Sequence, residues 1–567
     1  MKRLYKNSTL FLAFLGIMLT FSCQKVEYRD RHEGNEISDV YATYENRGRD
    51  RLFEGRIVGD TIFIDIDFYH PIDSDNEVDL SKLLIRATVP SDAKISPSLA
   101  DFWDLTSPRT LTVTSGTGDA KTYIVKANKQ GNTDVSRAVL TYEDESGSLQ
   151  EVDAIILGDK INFSLVPGTV MQNAKLTYLI NRHATASIAN GGSIDLSSPV
   201  SFVVTSAGNA RRAYTLQVIE ATKLAKGIRP GSAKVLFAKR MKSDLGINAD
   251  NLTGGIAVSG KYVVLNTRNE NSIYLDAITG QRVGEINLGS IRGNLRNFYS
   301  TSDDAGNILV SNLTPNDGNT FNIWKISSVT SSPESLISWD AAGAAYGRKI
   351  SVIGNVDGDA IISAPMYGAA SLNTIARWQV VGGNVVSQSP TILTVSDYAW
   401  SWNNADAIFT SATNPNSDYY LIGYGSTAGN KLAKMNGSTH TALATLAGLD
   451  ANFISNAVDY IEFNNAKFVA YNHVNSFTWG SADQVYLIDT EGGFSGNPSL
   501  SPSTTPGLVW AAPKNTYGPA AAQGAANANA TGDVIMSVSE NGYYLYLYFM
   551  FTNGYVVGVQ FDCVDVE

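Results

Sequence analysis

From about residue 232 to the end, short strand-like segments in pairs, joined by tight turns, recur roughly every 45–60 residues. The turns are Ser259-Gly260-Lys261, Asp304-Ala305-Gly306-Asn307, Asp357-Gly358-Asp359, Asn464-Asn465-Ala466 and Glu540-Asn541-Gly542. Each is built from residues that accept tight or left-handed backbone. One further pair, DAIFTSA and YYLIGYG, is joined by TNPNSD. No amphipathic helix of roughly 10–15 residues separates the strands, which excludes βαβ architectures. About four strands per unit at a period near 50 predict a β-propeller over 232–567, with six blades as the first reading and seven as the alternative. The last unit offers only three strands, DVIMSVS, YYLYLYFMF and YVVGVQFD, whereas AKVLFAKRM (233–241) stands unpaired before the first. Adding that early strand to the last unit would hide an exposed edge.

The preceding region repeats on a different scale. Ile57-Val58-Gly59-Asp60-Thr61-Ile62-Phe63 matches Ile156-Leu157-Gly158-Asp159-Lys160-Ile161-Asn162, and Asp104-Leu105-Thr106-Ser107-Pro108 matches Asp195-Leu196-Ser197-Ser198-Pro199. Tyr123 in KTYIVKAN matches Tyr214 in RAYTLQVIE. Alternating strands such as LTVTS and SFVVTS end in turns such as GTGD and AGNA. Two copies of about 85–95 residues predict two β-sandwiches of immunoglobulin-like type, over 51–130 and 131–222. The chain as a whole is expected to be all-β. The paired Asp-Leu and Tyr positions are most simply packing and corner residues. Their pattern also resembles the strand pair that ends small sandwich domains of Bacteroidetes lipoproteins, which implies spacer units or repeats of adhesins and glycan-capture proteins.

Residues 1–22 carry Lys2, Arg3 and Lys6 ahead of the apolar run Leu10 to Leu19. Such a run is too short to span about 30 Å of hydrocarbon and reads as an export signal. Ser22 before Cys23 resembles the lipobox of bacterial lipoproteins, which implies that Cys23 is acylated and becomes the mature N-terminus. The charged stretch from Cys23 to residue 50 is expected to be a solvated tether, and it resembles the surface-export tags of Bacteroidetes lipoproteins. Together these imply a protein anchored through its lipid to the bacterial outer membrane and facing outward. Cys563 is the other cysteine, so lipidation of Cys23 would leave no disulfide. A net charge of -11 argues against nucleic acid as a partner.

Chemistry-bearing motifs are sparse. The five histidines, His32, His70, His183, His440 and His473, have no i+2 or i+4 pairing, so no metal is expected. No nucleophile elbow or Walker loop is present, and no cofactor is predicted. Asn355-Val356-Asp357-Gly358-Asp359 lacks the distal glutamate of a calcium loop and reads as a plain turn.

Aromatic placement is more informative. On the face shared by the loops that enter each unit and those between its second and third strands lie Tyr346, Arg348, Tyr367, Tyr398, Trp400, Trp402, His473, Trp479 and Tyr517. Flat aromatic rings stack on the C–H faces of sugars, while Arg348, Asn403, Asn404 and Asn472 could bind hydroxyls. Packing between blades is the competing reading for the tryptophans. The function expected is capture of an extracellular glycan without catalysis, the sandwiches acting as a stalk, with outer-membrane uptake proteins as further partners. An adhesin binding protein or host matrix is the alternative, and a propeller lyase or hydrolase the lesser one.

Overall fold

Alternating apolar residues and tight turns give this chain strands almost throughout. The computed structural model describes residues 30–44, 51–145, 147–369, 371–402, 405–424, 432–446, 455–474, 483–498 and 501–565. Among these, the helical elements are two short 3-10 turns, Gly289–Ile291 and Pro502–Thr504. No described helix is long and apolar enough to cross a membrane. The leader and Cys23 lie outside the described residues. Two compact units result, one from the described parts of 1–165 with 169–220, the other from 166–168 with 221–567.

In the first unit, a seven-stranded sheet runs in the order Leu83–Thr88, Asp39–Tyr44, Phe53–Val58, Thr61–Asp67, Ala120–Gln130, Arg109–Thr114 and Lys94–Ser96. Asp39–Tyr44 corrects the expectation of a tether reaching residue 50. Val40 and Ala42 alternate into the core, a short apolar rhythm hidden by charged flanks. The sequence repeat appears as repeated bonding. Thr61–Asp67 runs parallel to Ala120–Gln130, and Lys160–Leu165 runs parallel to Arg211–Glu220. The buried Tyr123 hydroxyl accepts the Ile37 N–H at 3.2 Å, and the buried Tyr214 hydroxyl accepts that of Val135 at 3.3 Å. Asp104 and Asp195 each accept the N–H two residues onward at 2.9 Å, closing equivalent turns.

Among the described residues, the second unit contains six antiparallel sheets, each led by a buried strand: Thr253–Ser259, Tyr299–Ser302, Ser351–Gly354, Ala405–Phe409, Val458–Phe463 and Gly532–Val538. These leading strands pack in succession, and Gly532–Val538 lies against both Val458–Phe463 and Thr253–Ser259. Lys234–Arg240 pairs antiparallel with Tyr555–Asp562 and gives the sixth sheet its fourth strand. Arg229 reinforces this join through two bonds to the Asp562 carboxylate, at 2.7 and 2.6 Å.

Each leading strand is bonded within its own sheet along one edge, so the N–H groups of its other edge are buried and need acceptors. Side chains of neighbouring sheets supply them. Asp533 takes the Ile256 N–H at 2.9 Å, Ser302 takes that of Val258 at 2.8 Å, and Asp304 takes that of Gly354 at 2.9 Å. Asp406 takes the Val458 N–H at 3.1 Å and Asp459 takes that of Met536 at 2.6 Å, while Ser351 donates to Asp406 at 2.5 Å. Burial pushes the Asp406 carboxyl up to about 6 and holds that of Asp459 well above its ordinary range.

A buried cation joins this framework. Lys349 Nζ lies 2.5 Å from Asp533 Oδ1 and donates to the Gly532 carbonyl at 3.1 Å. The Tyr299 hydroxyl donates to the same carboxylate at 3.0 Å, so residues of the second, third and sixth sheets meet at one cluster. Replacing Lys349 with Met strands a buried carboxylate and is expected to cost about 3–5 kcal/mol. Adding Asp533→Asn should recover about 1 kcal/mol or more. Urea unfolding of the full chain measures both, because seven of the eight tryptophans lie in the second unit.

Candidate functional site

In a sheet whose strands follow in order, the segment entering the first strand and the loop from second to third share one end. At that end Arg268 follows Tyr262–Thr267, Phe298 precedes Tyr299–Ser302, Arg348 precedes Ser351–Gly354, and Tyr367 follows Ala360–Pro365. The structure brings these four together. The Arg268 guanidinium carbon lies 4.7 Å from the Phe298 ring centre, and that of Arg348 lies 5.6 Å from the same ring and 5.4 Å from Tyr367. Cation–ring attraction holds the two guanidiniums beside one aromatic platform.

Tyr367 is fixed by its hydroxyl, which donates to the Thr314 carbonyl at 2.8 Å, and by its N–H to the Ala345 carbonyl at 3.0 Å. The next residues clasp Trp402 through two main-chain bonds. The Gly368 N–H reaches the Trp402 carbonyl at 2.5 Å, and the Trp402 N–H reaches the Ala369 carbonyl at 2.6 Å. Trp402 is 53% exposed and has φ of 60°, a left-handed conformation that a bulky residue adopts only under constraint.

The electrostatics are one-sided. Burial lowers the pKa of Arg348, with the charge of Arg268 acting the same way, and burial also lowers that of Arg268. Arg348 Nε is buried without a hydrogen-bond partner. Arg268 donates to the Asn251 carbonyl at 3.0 Å. Among the described residues no three His, Cys, Asp or Glu side chains gather as a metal site would require.

Four residues expected on this face are core instead. Tyr346 is buried against Phe321 and Trp339, and its hydroxyl is pushed up to about 12 by that burial. Tyr398 and the wholly buried Trp400 join the core between the third and fourth sheets, where the Trp400 indole donates to the Met366 carbonyl at 2.9 Å. Trp400 also bridges Leu372, so for Tyr398 and Trp400 the packing reading holds. His473 ends the strand Ala466–His473, bonds Ser455 at 2.6 Å, and is kept neutral by burial, which depresses its pKa to about 3. Tyr517 is half-buried edge-on against Phe549 and Tyr555. Asn472 is buried and bonds the Asn456 and Ala457 N–H groups. Trp479, Asn403 and Asn404 lie outside the described residues. Arg268 and Phe298 carry no signal of their own in the sequence, although their positions in the strand order match those of Tyr367 and Arg348.

Residues 235–562 match the family model DUF8500 and residues 18–127 match DUF5018, each described as a domain of unknown function. No curated protein matches the sequence. Among solved structures, the chain is similar to a DUF4623 family protein from Bacteroides eggerthii, at 14% identity over 76% of this chain and 98% of that one, with a TM-score of 0.45. It is also similar to a protein provisionally described as a gluconolactonase, at 11% identity over 60% of this chain and 96% of that one, with a TM-score of 0.34.

The two tryptophans separate packing from exposure. Trp400→Ala should destabilise the protein by about 3–5 kcal/mol, whereas Trp402→Ala should stay within about 0.5 kcal/mol. Thermal unfolding followed by circular dichroism distinguishes them.

Proposed function

We propose, for a chain that belongs to the DUF8500 family, that it is an exported, lipid-anchored protein whose second unit captures an extracellular glycan without catalysis. The observation that carries this reading is the exposed Trp402, clasped by two main-chain bonds beside the Tyr367–Arg348–Phe298 cluster. A flat ring held in place loses little freedom on stacking against a sugar, and neighbouring polar groups give orientation. The export signal and the cysteine at position 23 support attachment to the outer membrane with the protein facing outward. A six-bladed propeller is the architecture proposed for the second unit. Its support is the succession of leading strands, with Gly532–Val538 against both its predecessor and Thr253–Ser259. The first unit is read as two immunoglobulin-like sandwiches acting as a spacer, supported by the equivalent tyrosine and aspartate bonds of the repeat.

A glycan array probed with the chain from residue 24 onward tests the reading. Binding to a saccharide is expected, weakened about tenfold by Trp402→Ala with the melting temperature unchanged. Absence of saccharide binding, or equal binding by the variant, overturns it. Binding to a protein ligand that free oligosaccharides do not inhibit would replace it with the adhesin reading.

A further inference from the structure

Eight of the described arginines lie within ion-pair distance of a carboxylate. Arg229 is held by Asp562, Arg212 by Asp134 and Asp159, and Arg51 by Asp67. With 54 acidic against 43 basic side chains, acceptors are plentiful. Arg268 and Arg348 are not among them, and they stand together. They flank one phenylalanine, are partly withdrawn from water, repel each other, and form no ion pair among the described residues. Arg348 makes no hydrogen bond that would satisfy its buried Nε. A buried donor without an acceptor is costly, more so when charged, so such an arrangement needs a reason.

The geometry points to a receptor for an anionic group: Arg268 and Arg348, spaced by Phe298, bind the carboxylate or sulfate of an acidic saccharide whose ring stacks near Trp402. This rests on the glycan reading above and adds the class of sugar. A guanidinium presents its donors in a plane that fits a carboxylate or sulfate edge, and a ligand anion would both satisfy Arg348 and cancel the repulsion between the two cations. The rings of Phe298 and Tyr367 fix the guanidiniums without consuming their N–H donors. A protein of net charge -11 would otherwise repel such a ligand, which makes an unpaired cation pair the feature that selects it.

Calorimetric titration of the chain from residue 24 onward tests this with four probes. They are an oligogalacturonate, a sulfated chondroitin oligosaccharide, a neutral cello-oligosaccharide of matched length, and citrate as an anion that is not a sugar. One or both acidic saccharides should bind more tightly than the neutral one, and binding should weaken as salt rises. Arg348→Gln should reduce that affinity about 10–100-fold, a larger loss than it causes for the neutral oligosaccharide. Arg348→Lys, which keeps the charge but loses the planar donors, should fall between. The carboxylate and sulfate probes identify which anion is read. Equal affinity for acidic and neutral saccharides, both sensitive to Trp402→Ala, overturns the anion site and leaves glycan capture standing. Arginine-dependent binding of citrate with no saccharide bound upholds the anion site and overturns glycan capture. If a variant melts early, salt-independent binding of an acidic saccharide by the unaltered protein overturns the anion site by itself.

Discussion

A strand that begins a sheet has only one neighbour within that sheet. In the second unit all six such strands are buried, so the N–H groups along their free edges must find acceptors away from water. For four of the six, the acceptors are short polar side chains on adjacent sheets: Asp533, Ser302, Asp304, Asp406 and Asp459. Their reach is small, so each bond fixes the distance between two sheets. Lys349 adds a charge that bonds across sheets distant in sequence, its nitrogen meeting a carboxylate 184 residues away. A buried ion pair of this kind is a poor source of net stability but a strong constraint on arrangement, since losing either member leaves an uncompensated charge.

This constraint bears directly on the candidate site. Arg348 is the residue before Lys349, and Phe298 is the residue before Tyr299, whose hydroxyl bonds the Asp533 carboxylate. The groups that would meet a ligand are thus one residue from the groups that hold the sheets. A cluster of two cations beside a ring would splay apart on a mobile loop; here its backbone continues into anchored strands. That proximity is the physical basis for treating the face as preorganised.

What could be read from the sequence depended on the range of the interaction. Turns such as Asp304-Ala305-Gly306-Asn307 and the alternation of LTVTS are local, and they are strands and turns in the structure. The addition of Lys234–Arg240 to the sixth sheet was also legible, because an exposed edge and an unpaired strand implied each other. Asp39–Tyr44 was not, since two inward residues within a charged stretch make too weak a period. Tyr398 and Trp400 show the limit of alternation: it tells that two rings share a side, not whether that side faces water or the next sheet. Lys349 and Asp533 carry no local signal, and Arg268 becomes noticeable only when Phe298 and Arg348 stand beside it.

Polar side chains between sheets bind the second unit into one cooperative body. Native-state hydrogen exchange at the main-chain amides of Ile256, Val458 and Met536 tests it most directly, because each is captured by a carboxylate of a different sheet. All three are expected to exchange slowly and with the same free energy, through global opening alone. Exchange of any one by an independent local opening, several kcal/mol easier than the others, would contradict it.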